Sequence, residues 1–212
     1  MTQATLELQP RLSARAALER RAKLLAHIGN GWHLVEFGIA LGAGVAAGSV
    51  ALTSFAGDSL VEVLAASVIV WLFSANRGTS EHAERRAQQL VAASYFVLLA
   101  YIVSHASYDL VAGMRPATSW VGVGLAAFTA PTMPLLARAK RQVGRALNSS
   151  ATVSEASQNQ ICAYLSIALL AGLLLNALAS WWWADPTAAL VIAAFAVHEG
   201  RESWRGTACD CC

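Results

Sequence analysis

Asp58 and Glu62 stand four residues apart in the stretch FAGDSLVEV, which is otherwise apolar enough to cross a bilayer. At that interval on a helix two side chains share a face, with Cβ atoms about 5–6 Å apart, so both carboxylates can hold one cation. A carboxylate at the centre of a membrane helix costs about 2.5–3.5 kcal/mol, and the pair therefore calls for a proton, an ion or a basic partner. When a cation leaves, two like charges this close favour taking up a proton in its place.

A second set lies in SEASQNQICAYLS, where Gln158 and Cys162 repeat the four-residue step and Glu155 precedes Gln158 by one turn. An amide oxygen and a thiolate beside two carboxylates make a mixed hard and soft ligand set, which suits zinc or cadmium better than magnesium or calcium. Asp58, Glu62, Gln158 and Cys162 are thus the expected metal ligands; the competing reading of Cys162 is a small apolar packing residue. In WHLVEF, His33 and Glu36 are three apart and again share a face, which fits either a metal path or a structural role near the interface. His82 is expected to be solvated, and His105 with Asp109 to form an interfacial pair. The ending CDCC places Cys209, Cys211 and Cys212 within four residues, too cramped for a closed tetrahedral site but able to capture a soft metal loosely. A disordered reduced tail is the alternative.

These residues need a scaffold. With 56% hydrophobic and 13% charged residues among 212, far from the usual soluble balance of about 25% charged, the chain reads as an all-α membrane protein. A spanning helix takes roughly 20 apolar residues, and six candidates appear: Trp32 to Leu52, Ser54 to Ser74, Leu90 to Val111, Ser119 to Leu136, Ile161 to Ala179, and Trp181 to Val197. No Lys or Arg falls within them, so an arginine cap for the acidic pair is not evident. On this count fourteen of the fifteen basic residues fall on one side and only Arg115 on the other, an asymmetry that puts both termini in the cytoplasm. The expected organisation is a cytoplasmic arm over 1–31, a six-helix transport domain over 32–197 and a short Cys-containing tail over 198–212. The arm carries Leu and Ala at helical spacing among basic residues, which suits a helix lying along the inner membrane surface; a solvated arm is the alternative.

The basic residues are accounted for by topology, so the net charge of +2 gives no reason to expect nucleic acid as a partner. Residues 1–31 lack the continuous apolar core of a signal peptide. No glycine pattern of a nucleotide site appears, so any pumping draws on a gradient. Cysteines in a reducing cytoplasm favour free thiols or metal ligands over disulfides. An enzyme using Cys162 as a nucleophile is disfavoured, because no His lies near it in sequence. The Trp181–Trp183 run reads as an interfacial belt, and the small residues of GIALGAGVAAGSVAL as a close-packing face.

The stretch GSVALTSFAGDSLVEVLAAS resembles the second span of the cation diffusion facilitators, which carries two acidic residues four apart after a helix rich in small residues. Gln158 and Cys162 stand where that family usually has His and Asp, with Glu155 at the acidic position of the preceding step. WWWADPTAALVIAAFAVHEGRESW resembles the family's sixth span and EHAERRAQQL its cytoplasmic segment leading into the third. The resemblance implies the six-helix cation-efflux transmembrane fold and a homodimeric exporter of divalent metals that exchanges them for protons, with no prosthetic group. It also implies departures: a softer ion than usual because of Cys162, and no carboxy-terminal metal-sensing domain. A metal-binding modulator that does not transport is the other reading of those departures.

Overall fold

The computed structural model describes residues 3–74, 81–147 and 150–205, and these form six helices with no strand: α1 (Gln3–Ala47), α2 (Val50–Ser74), α3 (Glu81–Ala112), α4 (Trp120–Leu147), α5 (Ser150–Ala179) and α6 (Ala184–Arg205). Three described stretches are long and apolar enough to cross a membrane, Gln89–Ala112, Trp120–Leu147 and Glu155–Ala179. In α1 and α6 the apolar runs are diluted by the ionisable residues His33, Glu36, Asp185 and Glu199. Each of these four side chains is buried or partly buried.

The expected arm and first span are one helix, since α1 runs unbroken through residue 31. It ends earlier than the apolar run suggests. Gly48 takes a φ of 63°, a left-handed conformation that ends helices and costs glycine little, and the Ser49 N–H bonds back to the Gly44 carbonyl at 3.0 Å. Val50 to Leu52 therefore open α2. Ser49 caps that helix, its Oγ accepting from the Leu52 N–H at 3.1 Å. Asp185, from the first turn of α6, joins the cap: its Oδ1 accepts from Ser49 Oγ at 2.5 Å and its Oδ2 from the Ala51 N–H at 3.2 Å. A carboxylate at a helix N-terminus satisfies orphan donors and opposes the positive end of the helix dipole.

Alongside these junctions, α4 packs chiefly on α5, α3 on α6 and α1 on α2, with further contacts tying α1 to α4 and α2 to α6. Small residues allow the close approaches. A Cβ on Gly172 of α5 would sit 2.7 Å from Ala188 Cβ of α6. The core between the helices is made of Phe55, Leu52, Ile102, Leu165, Leu169 and Ile192 among many alanines. Outside it, large apolar side chains such as Val45, Val97, Val111 and Leu178 stand exposed, a surface suited to hydrocarbon rather than water. Trp181 and Trp183 stack with centroids 5.3 Å apart at the turn before α6.

Candidate metal centre

One group of side chains interrupts this apolar interior. His33 and Glu36 reach it from α1, Ser59 and Glu62 from α2, Thr129 and Met133 from α4, and Asn159 and Cys162 from α5, all of them buried. His33 and Glu36 share a face of α1 because they are one turn apart, and His33 Nδ1 bonds Glu36 Oε2 at 3.3 Å. Glu62 Oε2 comes closer to the same nitrogen, 2.8 Å, yet makes no hydrogen bond. It lies off the N–H axis, a charge contact with an unfilled acceptor.

Glu36 is the best-held member. Its Oε1 accepts from Thr129 Oγ1 at 2.7 Å, and its Oε2 from Ser59 Oγ at 3.1 Å and from the Cys162 thiol at 3.8 Å. Those donors come from three other helices, which is how a fully buried carboxylate is tolerated. On the other side of the imidazole, Asn159 Nδ2 lies 3.2 Å from His33 Nε2 and 3.3 Å from Met133 Sδ, while its Oδ1 is buried without a partner. In the neutral tautomer that carries its proton on Nδ1, Nε2 accepts from this amide. The helix turn bearing Thr129 is followed by Pro131 and Pro134 inside α4, whose missing N–H groups release carbonyls from the helical ladder.

The ligand atoms of His33, Glu62 and Cys162 all lie within 4.8 Å of one another. Bonds of about 2.0–2.3 Å in a tetrahedral zinc site place ligand atoms roughly 3.3–3.8 Å apart, so about 1 Å of closure turns this group into a coordination shell. Imidazole, thiolate and carboxylate are the donors zinc and cadmium favour. Glu36, touching both His33 and Cys162, is placed as a fourth donor or as the group that orients the other two.

No protein-family model matches the chain, and no curated protein matches it.

The other residues singled out from sequence fall at graded distance from this centre. Asp58 is buried beside Glu62 and lines a narrow cavity with Tyr95, Gln158 and Glu199. Gln158 is partly buried and lines that cavity and a second one, which it shares with Asn30, His33, Lys140 and Glu155, and no hydrogen bond joins it to His33. Glu155 pairs with Lys140 at 3.2 Å. His105 Nδ1 and Asp109 Oδ2 are 3.5 Å apart. The side chain of His82 and the terminal residues Cys209, Cys211 and Cys212 lie outside the described residues.

Several contributors carried no motif, Ser59 and Met133 among them. Asn159 and Thr129 are polar residues in apolar helices, the only signal they give. Lys140 is one of the fourteen basic residues counted on one side of the membrane, yet it is 3% exposed. Its position on the stripe Met133, Ala137, Lys140, Gly144, all buried, follows helical spacing and could have revealed it. Tyr95 and Glu199 reach the Asp58 cavity from α3 and α6. Burial raises the Glu199 carboxyl above its ordinary range, with Glu202 and Glu62 adding to the rise and His198 opposing it.

Proposed function

We propose that the chain is a secondary transporter that exports a divalent transition-metal cation, zinc- or cadmium-like, from the cytoplasm in exchange for protons. The observation that carries this reading is the buried meeting of His33, Glu62 and Cys162 from three helices, with ligand atoms within 4.8 Å. Glu36 stands at their side. The reading takes all six helices as spans with both termini cytoplasmic, in keeping with the one-sided distribution of Lys and Arg, and takes a homodimer from the resemblance to cation diffusion facilitators.

The chemistry follows from the residues. A divalent ion entering the group is met by Glu62, Glu36, His33 and the Cys162 sulfur, and two carboxylates neutralise it where the surrounding dielectric is low. A thiol and an imidazole must lose protons to bind metal, so loading releases protons and proton uptake expels the metal. With the ion gone, a proton on His33 Nδ1 faces Glu36 at 3.3 Å and Glu62 at 2.8 Å. If the imidazole gains a second proton and the Cys162 thiol regains its own, the two protons replace the two charges of the departed ion, and the empty site carries the same net charge as the loaded one. Asp58, one turn before Glu62, extends the acidic surface toward the cavity.

Purified protein in proteoliposomes with an imposed proton gradient tests the assignment. Zinc or cadmium flux that collapses in Glu62→Gln and Cys162→Ser variants supports it. Unchanged flux in both overturns it, and tight metal binding without any wild-type flux points instead to a non-transporting metal-binding protein.

A further inference from the structure

Two narrow cavities meet at Glu62 and Gln158, and they differ in charge. One is lined by Asn30, His33, Lys140, Glu155 and Asn159, so it holds a fixed ammonium 3.2 Å from its only nearby carboxylate besides Glu62. The other is lined by Asp58, Tyr95 and Glu199 and carries three carboxylates, counting Glu62, with no basic residue in its lining. A cation approaching Glu62 is attracted less in the first, where the ammonium offsets one carboxylate, than in the second.

The acidic cavity also contains an unanswered group. Asp58 is 6% exposed, and among the described residues its carboxylate accepts no hydrogen bond and joins no ion pair. Buried carboxylates are ordinarily paired or hydrogen-bonded, so Asp58 is poised for something from outside. Farther out, Glu199 is partly exposed and sits between His198 and Glu202, both exposed; the ligand atoms of these three lie within 4.8 Å of one another. Alone, such a surface group means little. Here its middle member opens onto the cavity that ends at the unpartnered Asp58.

We propose that Glu199, with Asp58 behind it, forms a loading site for divalent cations on the way to Glu62, distinct from the buried His33, Glu62 and Cys162 group. This rests on the export reading, which makes the end of α6 cytoplasmic. The site is built of oxygen donors with His198 at its rim, so it is less selective than the inner group and serves to concentrate and pass on the ion.

Cadmium loading of the full-length chain in detergent, with Cys209, Cys211 and Cys212 changed to Ser in every protein compared so that Cys162 is its one thiol, followed by stopped-flow at the ultraviolet thiolate-to-cadmium band, reads arrival at Cys162. At low ionic strength Glu199→Gln slows that arrival about tenfold, within the range of electrostatic steering, and added salt narrows the gap. Glu199→Asp keeps most of the wild-type rate, and Glu19→Gln, on α1 far along the chain, keeps all of it. Equal rates in Glu199→Gln and wild type overturn the proposal while leaving the inner site standing. If the wild type develops no thiolate band, the Cys162-centred reading fails on its own. The loading site is then judged by manganese, an ion suited to carboxylates, counted from the loss of its free electron-spin resonance signal. One ion fewer in Asp58→Asn and in Glu199→Gln than in wild type supports the proposal, and an equal count in all three overturns it.

Discussion

His33 Nδ1 lies 2.8 Å from Glu62 Oε2, joining α1 to α2 at the point where Cys162 of α5 also arrives. That contact makes the imidazole the hinge of the candidate centre, because the same nitrogen faces Glu36 at 3.3 Å. One ring thus reports on both acids, and displacing its proton by a metal ion changes the balance of both at once.

Removing an inner donor should weaken metal binding steeply. Groups that merely orient metal ligands cost 10–100-fold in affinity when lost, so Glu62→Gln and Cys162→Ser are each expected to lose at least about 100-fold. Titration calorimetry with zinc and cadmium in detergent checks this. Cys162→Ser should penalise cadmium more than zinc, since the sulfur is the softest donor.

Thr129 orients Glu36 through a 2.7 Å bond and is fully buried. Thr129→Val, nearly the same shape without the hydroxyl, is expected to lower metal affinity about 10-fold or more, and Thr129→Ser to restore most of it. Equal affinity in the valine variant would show that Glu36 stands clear of the metal.

Lys140 and Glu155 form an ion pair that is 4% and 24% exposed on its two sides. Truncating the lysine strands a half-buried carboxylate; losing one partner of a fully buried pair costs about 3–5 kcal/mol, and the partial exposure of Glu155 brings the expected loss for Lys140→Met to about 2 kcal/mol. Lys140→Met/Glu155→Met should recover most of that. Thermal unfolding of the three proteins in detergent decides it.

Asp185→Ala removes both acceptors at the start of α2. Loss of a capping side chain costs about 0.5–2 kcal/mol, and Ser49 Oγ loses its 2.5 Å partner as well, so about 2 kcal/mol is expected, read as a lowered Tm.

Glu199→Gln should leave the protein at least as stable as wild type near neutral pH. Burial, aided by Glu202 and Glu62 against His198, lifts the folded carboxyl above its ordinary value of 4.5, so between the two values the native state binds more protons than the unfolded one. Stability then falls as pH rises through that window. Glutamine escapes the loss, and its advantage disappears on acidification below the ordinary value; Tm measured against pH tests the sign.

Much of the helical plan was legible from residues. The apolar runs mark the helices, and Gly48 with Ser49 carries an end and cap signal that the unbroken hydrophobicity of Trp32 to Leu52 conceals. The four-residue steps from Asp58 to Glu62 and from Gln158 to Cys162 put each pair on one face, and the structure brings Glu62 and Cys162 together. The register between helices was not legible. Successive helical residues point about 100° apart, so a rotation of α5 by one residue decides that Asn159, not Gln158, meets His33. The depth of α1 was equally hidden: His33 and Glu36 read as interfacial by position in the chain, while their burial depends on Ser59, Thr129 and Cys162 arriving from elsewhere.

The Asp185 cap has one more consequence. A single carboxylate grips the first turn of α2 from the first turn of α6, so these helix starts cannot part without stripping the hydroxyl and amide from it. Any motion that bares the centre toward that end has to break this clasp first, so a carboxylate outside the candidate centre sets a condition on opening it.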